Sequence, residues 1–334
     1  MQASFFATTA YAGPPAHSWP VAPALCDRKT ASESLQRSLE SCRRADALGF
    51  DWISVSEHHY APLMLTPNPL VMAAAISQAT SRAKIALLGP LLPLANPVRV
   101  AEEVAMLDAL TAGRVVVLFL RGTPSEHLAY GDVSAQSRAM TQEGIELILK
   151  AWTSEEPFSW EGEHFQFPTV SVWPRTFQVP HPPAFGSGNS EESAIFAARH
   201  RLGMGISFAP IPIIRRWVEL YREEAEKAGW SPGPEHVIYR GLSHLTDTDE
   251  AAEKAQAARP TINVDPQGPL AHIARPYFLG SSATVIGQIE ALRDAGVGVV
   301  DIAFAAGVGA IDYERQADQV SQFAEEVMPT IQAW

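Results

Sequence analysis

Apolar residues along this chain recur with two alternating periods, and the alternation predicts its architecture. Residues 4–9 form a short apolar run of strand type, and residues 51–56 repeat it with Trp52, Ile53 and Val55. Between them, Leu35, Leu39, Cys42 and Ala45 recur at helical spacing over residues 32–48, and Gly49 is placed to end that helix. The rhythm continues with a helix over 69–80 capped by Asn68, a strand over 84–88, and a helix over 98–110 stopped by Gly113. Residues 114–120, R-V-V-V-L-F-L, are an unbroken apolar run, as a parallel strand covered on both faces requires. A helix over 136–152 follows.

Between 153 and 182 the rhythm breaks. The aromatic runs of F-S-W-E-G-E-H-F-Q-F-P predict a small inserted hairpin. Strands are then expected over 183–185, 204–208, 237–245 and 299–304, with helices over 191–200, 213–228, 249–258, 283–295 and 313–328. Residues 259–280 hold Pro260, Pro266, Pro269 and Pro276 and are expected to form a lid-like loop over the site. The loop up to Thr30 is also longer than a plain connection needs. Strands alternating with helices predict a (β/α)8 TIM barrel, one domain spanning 1–334, with the hairpin insertion at 153–182 and long loops at the C-terminal face. A doubly wound open sheet is the second architecture this pattern allows.

Composition narrows the function classes. The chain has 334 residues, 46% hydrophobic and 19% charged, which suits a globular fold with a large core. Its net charge of -12, with no cluster of basic residues, argues against nucleic acid or an anionic membrane as partner. Cys26 and Cys42 lack metal-ligand spacing and are too few for a disulfide scaffold. No basic segment precedes the apolar residues near Met1, and no apolar run reaches the roughly 18 residues of a membrane span. A reduced, cytoplasmic setting is the expectation.

Three stretches hold candidate chemistry. Glu57-His58-His59 sits where the second strand ends, the position at which barrel enzymes place reactive groups. On residue type alone, exposed loop histidines explain it equally well. Neighbouring side chains on extended backbone point apart, so His58 and His59 do not chelate one ion, and no H-E-x-x-H or C-x-x-C occurs. No metal site is expected. The nucleophile elbow G-x-S-x-G is absent as well. The second stretch, F-G-S-G-N-S-E-E-S, runs from a strand directly into a helix. Its free N–H groups, with Ser187, Asn189, Ser190 and Ser193, suit a phosphate, or else Asn189 or Ser190 is an ordinary cap. Glu191 and Glu192 must point away if an anion binds there. The third is Arg121-Gly122 at the tip of the apolar strand, with Arg138 near a helix start where its charge opposes the dipole. A surface salt bridge is the plainer reading of each arginine.

Several stretches together resemble the bacterial luciferase-like flavin monooxygenase family. They are E-H-H-Y followed by T-P-N-P, then L-L-P-L-A-N-P-V-R-V-A-E-E-V-A-M-L-D-A-L-T-A-G-R, then L-R-G-T-P-S-E. The closing G-S-S-A-T-V-I-G-Q-I-E-A-L-R-D-A-G and F-A-E-E-V-M-P extend the likeness over nearly the whole chain. The resemblance implies a (β/α)8 barrel, a homodimer, and reduced FMN supplied by a separate flavin reductase. With O2 it would oxidise a small, largely apolar organic substrate of the aldehyde or ketone class. It matches His58 and His59 to the family's active-site pair, with His58 moving the proton, and places Glu57 beside the cofactor. Arg121, Arg138, Ser190 and Ser193 match positions around the FMN phosphate, while Asn189 stands where luciferase has an acidic residue. Gly89 lies on the strand beneath the flavin ring, where strained or cis backbone occurs and glycine is permissive. Leu118 and Leu120 depart from the family's glycine and reactive cysteine, which bears on the ring pocket. Phe6, Phe119 and Phe208 are expected near the apolar pocket, Phe119 as core. An F420-dependent oxidoreductase on the same barrel, and a flavin-binding member without turnover, are the rival readings.

Overall fold

Described here is a computed structural model covering residues 1–14, 19–62, 64–131, 133, 135–258, 275–304 and 312–334. In chain order its strands are β1 (Gln2–Phe6), β2 (Trp52–Val55), β3 (Lys84–Leu91), β4 (Val115–Leu120), β5 (Phe158–Glu161) and β6 (Gln166–Val170). They continue with β7 (Ala184–Ser187), β8 (Gly203–Ser207), β9 (Val237–Leu245), β10 (Phe278–Gly280) and β11 (Val299–Phe304). Parallel pairings run β1-β2-β3-β4-β7-β8-β9-β11 and return to β1, closing an eight-stranded barrel. The chain thus folds as a (β/α)8 barrel, and the open sheet is excluded.

The side-chain alternation that made the strands legible divides two cores. Phe5, Ile53, Ile85, Leu87, Val117 and Phe119 face outward under the helices. Trp52, Ala86, Leu88, Val116, Leu118, Phe185, Ile238 and Val299 pack inside the barrel. Two glycines make room for the large inward residues. A Cβ at Gly203 would collide with the Phe185 ring, and one at Gly205 with Leu118. Nearer the mouth the interior turns polar. Asp301, fully buried, accepts from Ser4 Oγ, Ser54 Oγ and Arg240 Nε, each at 2.6 Å. The Arg240 guanidinium lies 3.8 Å from the centroid of the Phe6 ring.

Among the described residues the helices before the C-terminal segment are α1 (Arg28–Leu48), α2 (Pro69–Ala79), α3 (Pro97–Leu110), α4 (Pro124–Ala129), α5 (Ser137–Thr153), α6 (Glu191–Arg199), α7 (Ile211–Lys227), α8 (Asp249–Ala257) and α9 (Ser282–Asp294). Helix α1 starts earlier than its apolar period suggested, because Asp27 caps it by accepting the Thr30 N–H at 2.8 Å. Asn68 caps α2 as expected, accepting from Leu70 and Val71. The six-residue α4 lies in a stretch to which the apolar pattern assigned no element. Residues 153–182 contain the antiparallel β5–β6 hairpin.

Two expectations near the C-terminus are corrected. Of the loop expected over 259–280, residues 259–274 lie outside the described residues, but Phe278–Gly280 forms β10, parallel to Ser243–Leu245 of β9. A strand of three residues beside Pro276 shows no alternation to read. The single helix expected over 313–328 is Tyr313–Gln322, a π-helical turn Phe323–Val327, and a last helix Met328–Gln332. Pro329 removes a helical donor and crowds the preceding turn, and the Met328 N–H bonds five residues back to Phe323 O. Among the described residues no helix is long and apolar enough to cross a membrane.

Candidate functional site

Because the eight barrel strands are parallel, the residues after β2, β3, β4 and β7 all emerge at one face. After β2 the backbone leaves the sheet at Ser56 and presents Glu57, His58 and His59 in three environments. His59 is buried, and its Nε2 bonds Glu57 Oε1 at 2.8 Å. Its ring meets Tyr130 edge-on at 5.0 Å, and its carbonyl accepts from Trp19 Nε1 at 2.9 Å. Thus part of the long loop before α1 packs over this stretch. The other oxygen of Glu57 accepts the Leu91 N–H at 3.1 Å, tying the β2 tip to the end of β3.

His58 is different. Its side chain is 37% exposed, and its Nδ1 lies 2.7 Å from Oε1 of Glu126, whose side chain is 6% exposed. The other carboxylate oxygen of Glu126 accepts the Thr123 N–H at 2.8 Å at the start of α4. Burial raises the Glu126 pKa, but the bonds from His58 and Thr123 outweigh it and hold the carboxyl below its usual value. The next residue, His127, donates from Nε2 to the carbonyl of Arg121 at 2.9 Å. Helix α4 is thereby fastened to both the β2 tip and the β4 tip. Sequence reading missed Glu126 as a site residue, although Thr123-Pro124-Ser125-Glu126 carries the signal of a capped helix start with proline at its first position.

On β3, the pairing with β4 shifts register between Leu88 and Leu91, so the strand kinks at the mouth. Gly89 sits at the kink with φ of +119°, and a Cβ there would lie 3.2 Å from Leu120 Cδ1. The cis peptides of the described residues are Trp19-Pro20, Trp173-Pro174 and Val179-Pro180, so the kink at Gly89 contains none. Leu120 therefore belongs to the mouth, whereas Leu118 lies within the barrel interior. Of the three phenylalanines, Phe119 is buried in the outer core, its ring tilted against that of Trp152. Phe6 lines the mouth with Met64 and Ala303. Phe208, at φ +59°, ends β8 by donating its N–H to Arg240 O at 3.1 Å.

The α6 end gathers Arg138, Ser190 and Ser193. Ser190 caps α6, its Oγ accepting from Ser193 N and lying 2.9 Å from Ser193 Oγ. Asn189 is not the cap. Its Oδ1 accepts the Ser207 N–H at 2.8 Å and joins the ends of β7 and β8. Arg138, on the first turn of α5, reaches Glu192 Oε2 at 2.7 Å. Glu191 pairs with Arg216, so each acidic side chain of the first turn is turned toward an arginine. The arrangement fits a phosphate monoester: open first-turn N–H groups, two hydroxyls, and one arginine held only by an exposed pair. Arg121, exposed at the β4 tip, makes no side-chain contact with this group among the described residues. No group of three or more His, Cys, Asp or Glu side chains could hold a metal ion among the described residues.

The fold and its mouth define a (β/α)8 barrel whose apolar wall, imidazole and anion-ready helix end share one face. Comparison with known proteins makes the class specific. The family model for luciferase-like monooxygenase matches residues 17–298. This chain belongs to that family. It is 31% identical over 216 residues to the alkanal monooxygenase alpha chain of Photorhabdus luminescens, covering 64% of this chain and 59% of that one. It is 24% identical over 338 residues, 91% of each chain, to the oxygenase component of the flavin-dependent trigonelline monooxygenase of Acinetobacter baylyi. The solved structure of monooxygenase RslO1 from Streptomyces bottropensis superposes with a TM-score of 0.82 at 25% identity, covering 99% of both chains. The chain spans about three fifths of the length of several curated relatives, among them that alkanal monooxygenase chain.

Proposed function

We propose that this protein is a monooxygenase that binds reduced FMN and uses O2 to oxidise a small, largely apolar substrate, an aldehyde or ketone by class. The observation that carries this reading is the mouth itself: a half-exposed His58 held by a buried carboxylate, beside a kinked apolar strand, on the face that also bears the α6 end. Bound reduced FMN supplies the electrons that let one oxygen atom of O2 enter the substrate while the other leaves as water. The chain's own residues do the rest. Ser190, Ser193, Arg138 and the first-turn N–H groups of α6 hold the phosphate, with Arg121 as a further cation at the rim. Leu120 and the Gly89 kink bound the flat ring on its apolar side. Phe6, Met64 and Ala303 exclude water from the substrate. His58 Nε2, without a partner among the described residues, gives or takes the proton. Glu57 and His59 position rather than react, since each is committed to the other.

The whole chain, 1–334, acts as one catalytic unit, supplied with FMNH2 by a separate flavin reductase. The naming of the Acinetobacter relative as an oxygenase component supports that division of labour. A homodimer is supported by the exposed apolar residues Val71 on α2 and Met106 and Leu110 on α3.

The test is a spectral titration with FMN and with F420, followed by oxygen uptake with a flavin reductase and a panel of aldehydes and ketones. Tight F420 binding without FMN binding overturns the cofactor assignment. Flavin binding without substrate-dependent product overturns the enzymatic one. Product formation unchanged in His58→Ala removes His58 from the chemistry.

A further inference from the structure

We propose that Glu126 is the positioning residue of this site, fixing the His58 ring with its proton on Nδ1 and the Nε2 lone pair facing the mouth. The inference rests on the reading of His58 as the proton-transfer group, and it names the atom and the partner that reading leaves open.

The argument starts from charge. A carboxylate held below its usual pKa is ionised at neutral pH and only accepts hydrogen bonds. Its Oε1 lies 2.7 Å from His58 Nδ1, so Nδ1 is the atom that carries the proton. In a neutral imidazole the other nitrogen, Nε2, is then the bare acceptor. When Nε2 takes a proton, the ring becomes a cation beside an anion already in place. The gain needs no movement of either group.

The carboxylate is also anchored, as an orienting group must be. Its second oxygen is taken by the Thr123 N–H at 2.8 Å, so the carboxyl plane is fixed by α4 and not by His58. The turn before α4 packs against it. A Cβ at Gly122, where φ is +88°, would lie 3.5 Å from Glu126 Oε2, 3.5 Å from His127 Nε2 and 3.2 Å from Leu91 Cδ1. His127 closes the turn by bonding the Arg121 carbonyl at 2.9 Å. The short α4 thus delivers one buried acceptor to one imidazole nitrogen. A surface helix with no such duty has no need to bury the oxygen that faces His58.

Glu126→Gln is the decisive variant. It keeps the shape, and its Oε1 still accepts the Thr123 N–H, so α4 stays capped. Its amide nitrogen then faces His58 and donates, which forces Nδ1 to become the acceptor and moves the ring proton to Nε2. Nitrogen-15 spectra of ring-labelled FMN-bound protein, taken where the ring is neutral, should show the Nδ1–H form in the native chain and the Nε2–H form in the variant. With decanal as probe and reduced FMN supplied, kcat should fall by about 100-fold or more while KM for decanal and Kd for FMN stay within about threefold. Glu126→Ala, which removes both bonds, should in addition lower the melting temperature. Retention of the Nδ1 proton in Glu126→Gln overturns the proposal, as does a flipped tautomer with unchanged kcat. If His58→Ala leaves turnover intact, the reading of His58 fails, yet the tautomer measurement still decides which group sets the ring.

Discussion

Removing the Arg138 guanidinium should weaken FMN far more than riboflavin, and the structure sets the size of the effect. Arg138 lies 2.7 Å from Glu192, with the two side chains 44% and 71% exposed. An exposed pair of this kind contributes about 0–1 kcal/mol, so Arg138 is released from it at little cost. A charge-assisted bond to a phosphate contributes about 1.5–3 kcal/mol. The net gain on binding is then about 1–2 kcal/mol, or roughly 5- to 30-fold in Kd. Arg138→Ala should raise the FMN Kd by that factor and leave riboflavin, which has no phosphate, unaffected. Glu192→Gln should act in the opposite direction and tighten FMN by up to about fivefold, because the competing carboxylate is gone. The α6 cap is Ser190, so neither substitution touches it. Flavin fluorescence titration at low and high salt reads all three, and the native advantage of FMN over riboflavin should shrink with salt. Equal weakening of FMN and riboflavin by Arg138→Ala, or weaker FMN binding in Glu192→Gln, would refute the phosphate assignment.

Three further outcomes follow from buried charge and exposed apolar surface. Arg240→Met leaves the fully buried Asp301 with two hydroxyl donors only; it should cost about 3–5 kcal/mol, or roughly 4–7 °C in melting temperature for a chain of this length. Combining it with Asp301→Leu should recover most of the loss, and a double variant no more stable than the single one contradicts the argument. Glu126 has its pKa lowered in the fold, so its contribution is fully present above the ordinary value of 4.5 and is lost as pH falls through the folded value. Urea unfolding across the acid range should therefore show a shallower decline in Glu126→Gln than in the native chain, and parallel curves would count against it. On the proposed homodimer, Met106→Glu with Leu110→Glu should give a folded monomer by light scattering; a dimer that survives the change would place the interface elsewhere, and a monomeric native chain would refute the dimer.

How far the sequence reached depended on whether a signal was local. The bounds of β9 were readable as they stand, because Pro234-Glu235-His236 and Thr246-Asp247 cut its apolar run off on both sides. Helix α4, at six residues, is too short for a period to show, and only its capping sequence marks it. Asp27 as the cap of α1 was hidden because the apolar face begins a full turn later. The site divides in the same way. Glu57, His58 and His59 were visible as a cluster, but the partner that distinguishes His58 from His59 stands 68 residues further on. Asn189 and Ser190 were equivalent as caps in the sequence. The choice falls to Ser190 because Asn189 is taken by the backbone of β8, a contact across two loops.

The two leucines ahead of Arg121 illustrate how such non-local compensation bears on function. Leu118 stands in a barrel interior where a larger side chain than glycine must find volume, and it finds it across the sheet at Gly205, where any Cβ would collide with it. The space Leu118 takes thus comes from β8, through the barrel interior, and not from the mouth. Leu120 has no such compensation within the sheet. It leans over the Gly89 kink, where a Cβ would sit a tight 3.2 Å from its Cδ1 and the positive φ already favours glycine, so strand kink and leucine form one surface. A ring seated against that surface meets aliphatic carbon where a thiol would offer a reactive, polarisable group. On the proposed placement of the flavin, Leu120 is the position that bears on the cofactor, and Leu118 is a matter of packing. Leu120→Cys should accordingly shift the absorption of bound flavin while leaving the barrel's stability within about 1 kcal/mol, whereas Leu118→Gly should lower stability by several kcal/mol through the cavity it opens beside Gly205.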